Sequence, residues 1–99
     1  MNKRIYISGK ITGLPQVEYL RNFMQAEMKL SKEGWSVVNP AKVNAMMPID
    51  TEYDTYMDMS YAMLKSCNAI YMMANWSDSH GAKMELEKAK EIGLDVIFG

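Results

Sequence analysis

The sequence is poor in the residues and segments that disulfide-linked, nucleic-acid-binding or membrane proteins need. Its single cysteine, Cys67, excludes an internal disulfide and a cysteine-based metal site. Lys and Arg number 11 against 12 Asp and Glu, so the basic excess of a general nucleic-acid binder is lacking. No run of about 18 apolar residues is present, which excludes a transmembrane helix, and residues 1–6 lack the apolar region of a signal peptide. We therefore expect a cytoplasmic protein that binds neither nucleic acid nor a membrane.

Histidine and nucleotide-binding glycine motifs are also scarce. His80 is the only histidine, and without a second histidine or a cysteine cluster it is a poor metal ligand. Residues 9–13 contain two glycines around Lys10, but a P-loop needs an earlier glycine and a Ser or Thr directly after the lysine. No Gly-x-Gly-x-x-Gly fingerprint is present either. We expect no metal and no cofactor, while Lys10 and the loop amides offer a weak anion site.

What the sequence does contain is typical of one small globular domain. Its 99 residues leave no room for a second domain, and 48% hydrophobic with 23% charged residues exclude a disordered chain. Methionine is unusually frequent, with 11 residues, many of them in the middle of the chain. Methionine fills irregular gaps in cores and also lines adaptable binding surfaces. We favour core filling, and the alternative is a methionine-lined site.

Strand and helix patterns alternate along the chain. Short apolar segments predict strands at residues 4–8, 35–39, 69–74 and 94–98. Helical periodicity predicts helices at about residues 16–33, 54–66 and 81–92, and an irregular surface loop is expected at residues 41–53. This order with short connections implies a parallel sheet with right-handed crossovers. We expect an α/β fold, a three-layer α/β/α sandwich of the Rossmann or flavodoxin-like type with four strands in the order 2-1-3-4.

The spacing of apolar residues predicts which face of each of the first two helices is buried. In the first helix the predicted apolar arc is broad: Val17, Leu20, Phe23, Met24, Ala26, Met28 and Leu30. In the second helix, Met57, Tyr61 and Leu64 are expected to face inward, together with Ser60. Asp54 and Asp58 suit the N-terminal end of that helix and are interpreted as structural.

Glu85 is the least expected residue of the third predicted helix. At about 100° per residue, Ala82, Leu86, Ala89 and Ile92 define the buried arc, and Glu85 falls inside it. A carboxylate that points towards a sheet is costly unless it has partners or a function. Periodicity alone leaves two readings open: a functional carboxylate, or a glutamate near the first turn that leans from the edge of the arc into solvent.

The loops at the carboxyl ends of the predicted strands are rich in polar and small residues. Ligands of open parallel sheets bind at this edge, so residues 9–13, 39–40 and 76–81 are the expected site. Ser77, Asp78 and Ser79 precede the third helix, and one of them is expected to be its N-cap. The alternative is that Ser79 and the free N–H groups hold a phosphate or a sugar hydroxyl.

Four segments together resemble the nucleoside 2-deoxyribosyltransferase-like superfamily, and above all its short bacterial and phage members. They are Ile5-Tyr6-Ile7-Ser8-Gly9-Lys10-Ile11-Thr12-Gly13, Val37-Val38-Asn39-Pro40, Cys67-Asn68-Ala69-Ile70-Tyr71 and Trp76-Ser77-Asp78-Ser79-His80-Gly81-Ala82-Lys83-Met84-Glu85. The resemblance extends over essentially the whole chain. Its most specific part is the Ser79-x-Gly81-x-x-x-Glu85 segment.

The resemblance implies a covalent glycosyl-transfer chemistry. In transferases and 2'-deoxynucleoside 5'-phosphate N-hydrolases of the superfamily, the glutamate at the Glu85 position attacks C1' of the deoxyribose and displaces the base. A second base or water then releases the sugar, which is the two-step logic of covalent catalysis. The tyrosine matching Tyr6 helps to position that glutamate, and the serine matching Ser79 contacts the 5'-phosphate in the hydrolases.

The sequence departs from the superfamily pattern at two places. Catalytic members have an Asp-Leu pair in the second helix, whose aspartate assists proton transfer to the base; here the aligned pair is Ser60-Tyr61. General acid catalysis of this kind contributes roughly 10²–10⁴-fold. In the first loop, the Ser and Arg that contact phosphate in the hydrolases align with Lys10 and Thr12.

We therefore predict a nucleoside or nucleotide ligand, with cleavage or transfer of its N-glycosidic bond through a glycosyl–glutamate intermediate. The alternative is a catalytically impaired nucleotide-binding protein that senses or sequesters its ligand, and a third reading is an assembly module without a ligand. A homodimer or higher homo-oligomer is expected, with contacts through the second helix. The predicted catalytic residues are Glu85 and Tyr6, and the predicted substrate-binding residues are Ser8, Gly9, Lys10, Thr12, Asn39, Ser60, Trp76, Asp78, Ser79 and Gly81.

Overall fold

Strands and helices alternate through residues 3–99, which are the residues that the computed structural model describes. Four strands, four α-helices and one 3-10 turn form in this range: β1 (Arg4–Ser8), α1 (Gln16–Lys32), β2 (Ser36–Val38), α2 (Pro40–Ala45), α3 (Tyr53–Lys65), β3 (Ala69–Met72), the 3-10 turn (Trp76–Asp78), α4 (His80–Glu91) and β4 (Asp95–Phe98). The predicted strands and helices therefore all form, with ends that shift by one to a few residues.

All four strands are parallel, in the order β2-β1-β3-β4. β1 is a central strand, because Tyr6 pairs with Val38 of β2 on one side and with Ile70 of β3 on the other. This order begins like the doubly wound flavodoxin-like sheet. The structure thus confirms the α/β class, the parallel sheet and the strand order expected from the sequence.

Helices cover both faces of the sheet and give three layers. Alternate residues of a strand point to opposite faces, so Ile5 and Ile7 of β1 pack with Phe23 and Leu30 of α1. Tyr6 of β1 belongs to the core on the other face, together with buried residues of α3 and α4: Leu64, Ala82, Leu86 and Ala89. Two apolar cores therefore sandwich the sheet, and α4 lies against the face from which Tyr6 projects.

The buried face of α1 is narrower than the apolar arc expected from its sequence. Phe23, Ala26 and Leu30 are buried, but Val17 and Met28 are more than half exposed. Residues three and four apart share one helix face, and 23, 26 and 30 form such a row. The helix contacts the sheet along this single row, so apolar residues to either side of it remain in solvent.

The prediction of an irregular loop over residues 41–53 is wrong at its start, where α2 forms. Asn39 caps this helix, since its Oδ1 accepts a hydrogen bond from the N–H of Ala41 at 3.1 Å. Pro40 occupies the first helical position, where its missing N–H costs nothing. An Asn-Pro pair thus both ends β2 and begins a helix.

Within residues 3–99, no helix is both long enough and apolar enough to cross a membrane.

Candidate active site

A cavity of about 560 Å³ lies at the carboxyl edge of the sheet, where parallel sheets bind ligands. Its walls are the loop after β1, residues of α1 and α3, and the start of α4. A volume of this size is in the range of small-molecule sites. Most of the site residues predicted from sequence line it: Tyr6, Gly9, Lys10, Thr12, Ser60, Asp78, Ser79, Gly81 and Glu85.

Glu85 lies in the wall of this cavity with 8% of its surface exposed. Tyr6 Oη donates a hydrogen bond to Oε2 at 2.7 Å, and Ser8 Oγ donates one to Oε1 at 2.6 Å. Because each oxygen has its own donor, the plane of the carboxylate is fixed. The structure confirms that Glu85 points inward, and the alternative of a glutamate leaning into solvent is wrong.

The three side chains meet because of strand and helix periodicity. Tyr6 and Ser8 are two apart on β1, so both project from the same face and both reach Glu85. On α4, Glu85 lies between Ala82 and Ala89, which are three and four residues away and share its face. Both alanines are fully buried, and their small side chains let α4 lie close enough to β1 for these short hydrogen bonds.

Burial controls the protonation of this cluster. It raises the pKa of Glu85, and hydrogen bonds from Ser8, Tyr6 and Ser60 act in the opposite direction. Burial also raises the pKa of Tyr6 well above its usual value, and the negative charge of Glu85 raises it further. Tyr6 therefore keeps its proton at neutral pH and stays a donor. A weakly hydrated, fixed carboxylate of this kind is suited to act as a nucleophile or a base.

The N-terminus of α4 gives one end of the cavity a preference for negative charge. Ser79 is the N-cap, and its Oγ accepts a hydrogen bond from the N–H of Ala82 at 3.1 Å. His80 and Gly81, in the first turn of α4, line the cavity beside it. N–H groups of a first helical turn attract anions, and Lys10 lines the same cavity.

The loop after β1 is tied to the segment that follows β3. Asn75 Oδ1 accepts a hydrogen bond from the backbone N–H of Lys10 at 3.0 Å. Gly9 is buried against this segment: a Cβ at position 9 would lie 2.7 Å from Sδ of Met73 and 3.1 Å from Oδ1 of Asn75. A side chain at position 9 would therefore displace these groups. Asn75 positions Lys10, a role that the sequence analysis missed.

The segment from residue 3 to residue 98, which contains every element around the cavity, matches a protein-family model. That model is described as a domain of unknown function, DUF4406. The chain belongs to the DUF4406 family. No curated protein matches it. The cavity and Glu85 are thus parts of the DUF4406 domain, and the resemblance to the nucleoside 2-deoxyribosyltransferase-like superfamily stays a prediction.

Three predicted ligand contacts of this DUF4406 protein lie outside the cavity lining. Ser8 is fully buried behind Glu85 and contacts its carboxylate. Asn39 caps α2 and donates from Nδ2 to Glu27 at 3.0 Å, so both ends of its amide are engaged. Trp76 stacks at a tilt on Phe98, with 5.7 Å between the ring centroids. These three residues therefore support the elements around the cavity and do not form its surface.

The sequence analysis of the DUF4406 chain missed an apolar and aromatic wall of the cavity. α1 contributes Tyr19 and Phe23 to this wall, and α3 contributes Tyr53, Tyr56 and Met57. A periodic signal was present, because 53, 56, 57 and Ser60 follow the i, i+3, i+4, i+7 spacing of one helix face. It was overlooked because position 53 was assigned to the preceding loop.

Within residues 3–99 of the DUF4406 protein, no group of three or more His, Cys, Asp or Glu side chains is arranged to hold a metal ion.

Proposed function

We propose that this protein cleaves or transfers the N-glycosidic bond of a nucleoside or nucleotide through a covalent glycosyl–Glu85 intermediate. The observation that carries the proposal is the buried carboxylate in the cavity wall, held at both oxygens by Tyr6 and Ser8. A buried carboxylate costs free energy, and its placement at a ligand-sized cavity supports a chemical role.

In the first step of this mechanism, a carboxylate oxygen of Glu85 attacks C1' of the sugar. The bond from C1' to the base breaks, and its electron pair leaves with the base. Tyr6 and Ser8 hold the carboxylate so that the attacking oxygen faces the cavity, which reduces the entropy cost of reaching the reactive geometry. Their hydrogen bonds also oppose the rise in the pKa of Glu85 that burial causes.

In the second step, water or a second base attacks C1' and releases the sugar from Glu85. Water gives hydrolysis and a second base gives transfer, and the same carboxylate is restored in both cases. The mechanism needs only groups of this chain and the substrate, since the carboxylate is both nucleophile and leaving group.

The lining of the cavity supports a ligand that has both a polar part and a flat apolar part. Lys10 and the first turn of α4 suit a phosphate or sugar hydroxyls. The wall formed by Tyr19, Phe23 and Tyr56 suits the ring of a base, since aromatic side chains stack on base faces. This division favours a nucleotide with its sugar next to Glu85.

The test is release of free base, followed by chromatography, from a panel of 2'-deoxynucleosides, their 5'-monophosphates and NAD. We expect base release by the wild-type protein and a loss of about 10³-fold or more in Glu85→Gln. The matched control is Glu87→Gln, which changes an exposed glutamate two residues along the same helix and is expected to keep the wild-type rate. Equal rates of base release in wild type and Glu85→Gln would refute the assignment of Glu85 as the nucleophile.

A nucleotide-binding protein without catalysis is the second candidate, and Ser60 favours it. Ser60 is buried beside Glu85 and Tyr6, at the position where the resemblance would put a proton-transferring aspartate. A hydroxyl does not titrate near neutral pH and so does not replace that acid. Stabilisation by a nucleotide in a thermal shift assay, without base release, would support the nucleotide-binding protein. If neither stabilisation nor base release is observed, the remaining candidate is an assembly module without a ligand.

We also propose a cytoplasmic, homo-oligomeric protein. The free Cys67 supports a reducing compartment, and the methionine and tyrosine side chains of α3 that remain partly exposed support contacts between copies.

A further inference from the structure

The proposed reaction needs a proton for the departing base. When the bond from C1' to nitrogen breaks, an ordinary base leaves as an anion, and protonation of that anion lowers the barrier. The hydroxyl of Tyr6 already donates a hydrogen bond to Glu85, and Ser60 lies buried beside the same carboxylate. The proton donor therefore has to be another side chain of the cavity.

Tyr53 lies where such a donor is needed. It is the first residue of α3, lines the cavity with Glu85, and is 43% exposed, so a bound base can reach it. Its Oη lies 3.3 Å from the position that a Cβ on Gly81 would occupy. Gly81 and Glu85 are four residues apart and share one face of α4. The absent side chain at Gly81 thus leaves room for the phenol on the same side of the helix as the carboxylate.

We propose that Tyr53 is the acid–base catalytic residue of this site, and that its Oη protonates the departing base. The inference rests on the proposed function. It assigns to a phenol of α3 the proton transfer that Ser60, which is buried two turns further along the same helix face, does not perform.

The proton and electron balance closes over the two steps. In the first, the C1'–N bond breaks, the Glu85 oxygen bonds to C1', and the Tyr53 proton moves to the base nitrogen, leaving a phenolate. In the second, the phenolate takes a proton from water as the water oxygen bonds to C1'. The bond from C1' to Glu85 breaks in the same step and its electron pair returns to the Glu85 oxygen, so both the carboxylate and the phenol are restored.

The charge of Glu85 favours both directions of this proton transfer. Burial raises the pKa of Tyr53, and the negative charges of Glu85 and Asp54 raise it further. The phenol is therefore protonated when substrate binds. Formation of the glycosyl ester removes the Glu85 charge, which makes Tyr53 a stronger acid as the base departs. Return of that charge in the second step favours protonation of Tyr53 again.

The test compares two substrates in single-turnover base release. One is an ordinary 2'-deoxynucleoside that the wild type cleaves, and the other is the corresponding deoxynucleoside of 7-methylguanine, whose cationic base leaves neutral and needs no proton. In Tyr53→Phe we expect a loss of about 10²-fold or more on the ordinary substrate and a wild-type rate on the methylated one. A merely structural role would slow both substrates equally.

Tyr61→Phe is the matched control. Tyr61 is a phenol of the same helix whose pKa is also raised by Glu85, but it does not line the cavity. We expect this variant to cleave both substrates at the wild-type rate, and Glu85→Gln to lose both. Circular dichroism and thermal unfolding check that each variant is folded.

Three outcomes would overturn the assignment while leaving the proposed function in place. In the first, Tyr53→Phe cleaves the ordinary substrate at the wild-type rate. In the second, Tyr53→Phe loses activity equally on both substrates. In the third, His80→Gln, and not Tyr53→Phe, loses activity on the ordinary substrate alone. If the wild type releases no base from either substrate, the proposed function fails, and the role of Tyr53 fails with it.

Discussion

Burial of the Glu85 carboxylate lowers the stability of the fold, and the same burial makes the group suited to act as a nucleophile or a base. It is a carboxylate with 8% exposure between α4 and β1, and burial raises its pKa despite the hydrogen bonds from Ser8 and Tyr6. A residue chosen for stability alone at this position would be apolar, like its neighbours Ala82 and Leu86. The buried carboxylate faces a cavity and not a closed core, so its cost in stability is accompanied by access to a ligand.

The first prediction concerns stability and pH at Glu85. A raised pKa in the folded state means that the folded protein binds the proton more tightly than the unfolded one. The contribution of Glu85 to stability is therefore fully present below its unfolded value, near 4.5, and is lost as pH rises through the folded value. Since Gln does not titrate, Glu85→Gln should gain stability over wild type as pH rises above about 4.5.

Urea unfolding of wild type, Glu85→Gln and Glu87→Gln at a series of pH values from 4 to 8 measures this difference. We expect the free-energy gap between wild type and Glu85→Gln to widen with pH, and the gap for Glu87→Gln to stay flat. A Glu85→Gln protein that is uniformly less stable at every pH would contradict the interpretation of a strained carboxylate.

The sequence predicted Glu85 but not Tyr53, for a clear physical reason. The position of Glu85 follows from the periodicity of one helix, since it falls between Ile92 and Ala89 on the helical wheel. Tyr53 is the first residue of α3, and helix ends are set by capping and tertiary contacts more than by periodicity. A boundary error of one residue was enough to place it in a loop.

At the scale of elements, a polar cluster attaches α2 to α1. Oε1 of Glu27 in α1 accepts a hydrogen bond from Asn39 Nδ2 at 3.0 Å, and Lys42 Nζ lies 3.0 Å from the same oxygen and 3.1 Å from Oε2. The Asn39 hydrogen bond is the main cause of a lowered pKa for Glu27, with Lys42 adding to it. The cluster fixes the short helix that borders the cavity through Pro40 and Asn44.

The second prediction follows from this cluster. Because the pKa of Glu27 is lowered on folding, its contribution to stability is present above the unfolded value, near 4.5, and is lost as pH falls through the folded value. Glu27→Gln should lower the free energy of unfolding by about 1 kcal/mol at neutral pH. The difference from wild type should vanish in acid.

Urea unfolding at pH 7 and at pH 3 checks this expectation. Glu33→Gln is the control, since Glu33 pairs with Lys29 across exposed surface and such pairs contribute little. A loss at pH 3 as large as that at pH 7 would show that the carboxylate charge of Glu27 is not responsible.

The third prediction concerns the loop after β1. Gly9→Ala would bring a Cβ within 2.7 Å of Met73 Sδ, so the loop or the methionine has to move. We expect a loss of about 1–3 kcal/mol in stability and weaker protection by nucleotides in thermal shift, because the shift also displaces the Lys10 amide from Asn75. Ser77→Ala, an exposed change at the same edge, should leave both measurements unchanged.

The boundaries of the elements show what local sequence does and does not determine. The strands of the sheet were predicted because each is a short apolar segment between glycines, prolines or polar residues. α2 was missed because six residues are too few for a periodic pattern, and its formation depends on the Asn39 cap and the contact with Glu27. The narrow buried row of α1 depends on how the helix lies on the sheet, which composition does not specify.

At the scale of the whole molecule, parallel topology creates the cavity. The carboxyl ends of β1 and β3 meet at one edge, so segments far apart in sequence, residues 9–13 and 78–85, line the same space. This arrangement was predictable, because it follows from strand order alone. The aromatic wall was missed, because its α3 residues share one helix face only when the helix begins at Tyr53.

The fourth prediction concerns association between copies. α3 keeps Tyr56, Met59 and Met63 partly exposed at spacings of three and four residues, which is one stripe along the helix. We expect sedimentation velocity to show a dimer, and Met59→Glu to shift it towards the monomer. Met28→Glu, on the exposed side of α1, should sediment like wild type. A monomeric wild-type protein would refute this expectation.

β1 is paired with a strand on each side, and it carries the hydroxyls of Tyr6 and Ser8 that donate hydrogen bonds to Glu85. Glu85 is therefore anchored to one of the two central strands of the sheet. Accommodation of ligands of different shape has to come from the rim of the cavity, which includes the exposed residues Thr12 and Tyr53. In crystals soaked with a series of ligands, we expect the rim to differ from one complex to the next while Tyr6, Ser8 and Glu85 superpose.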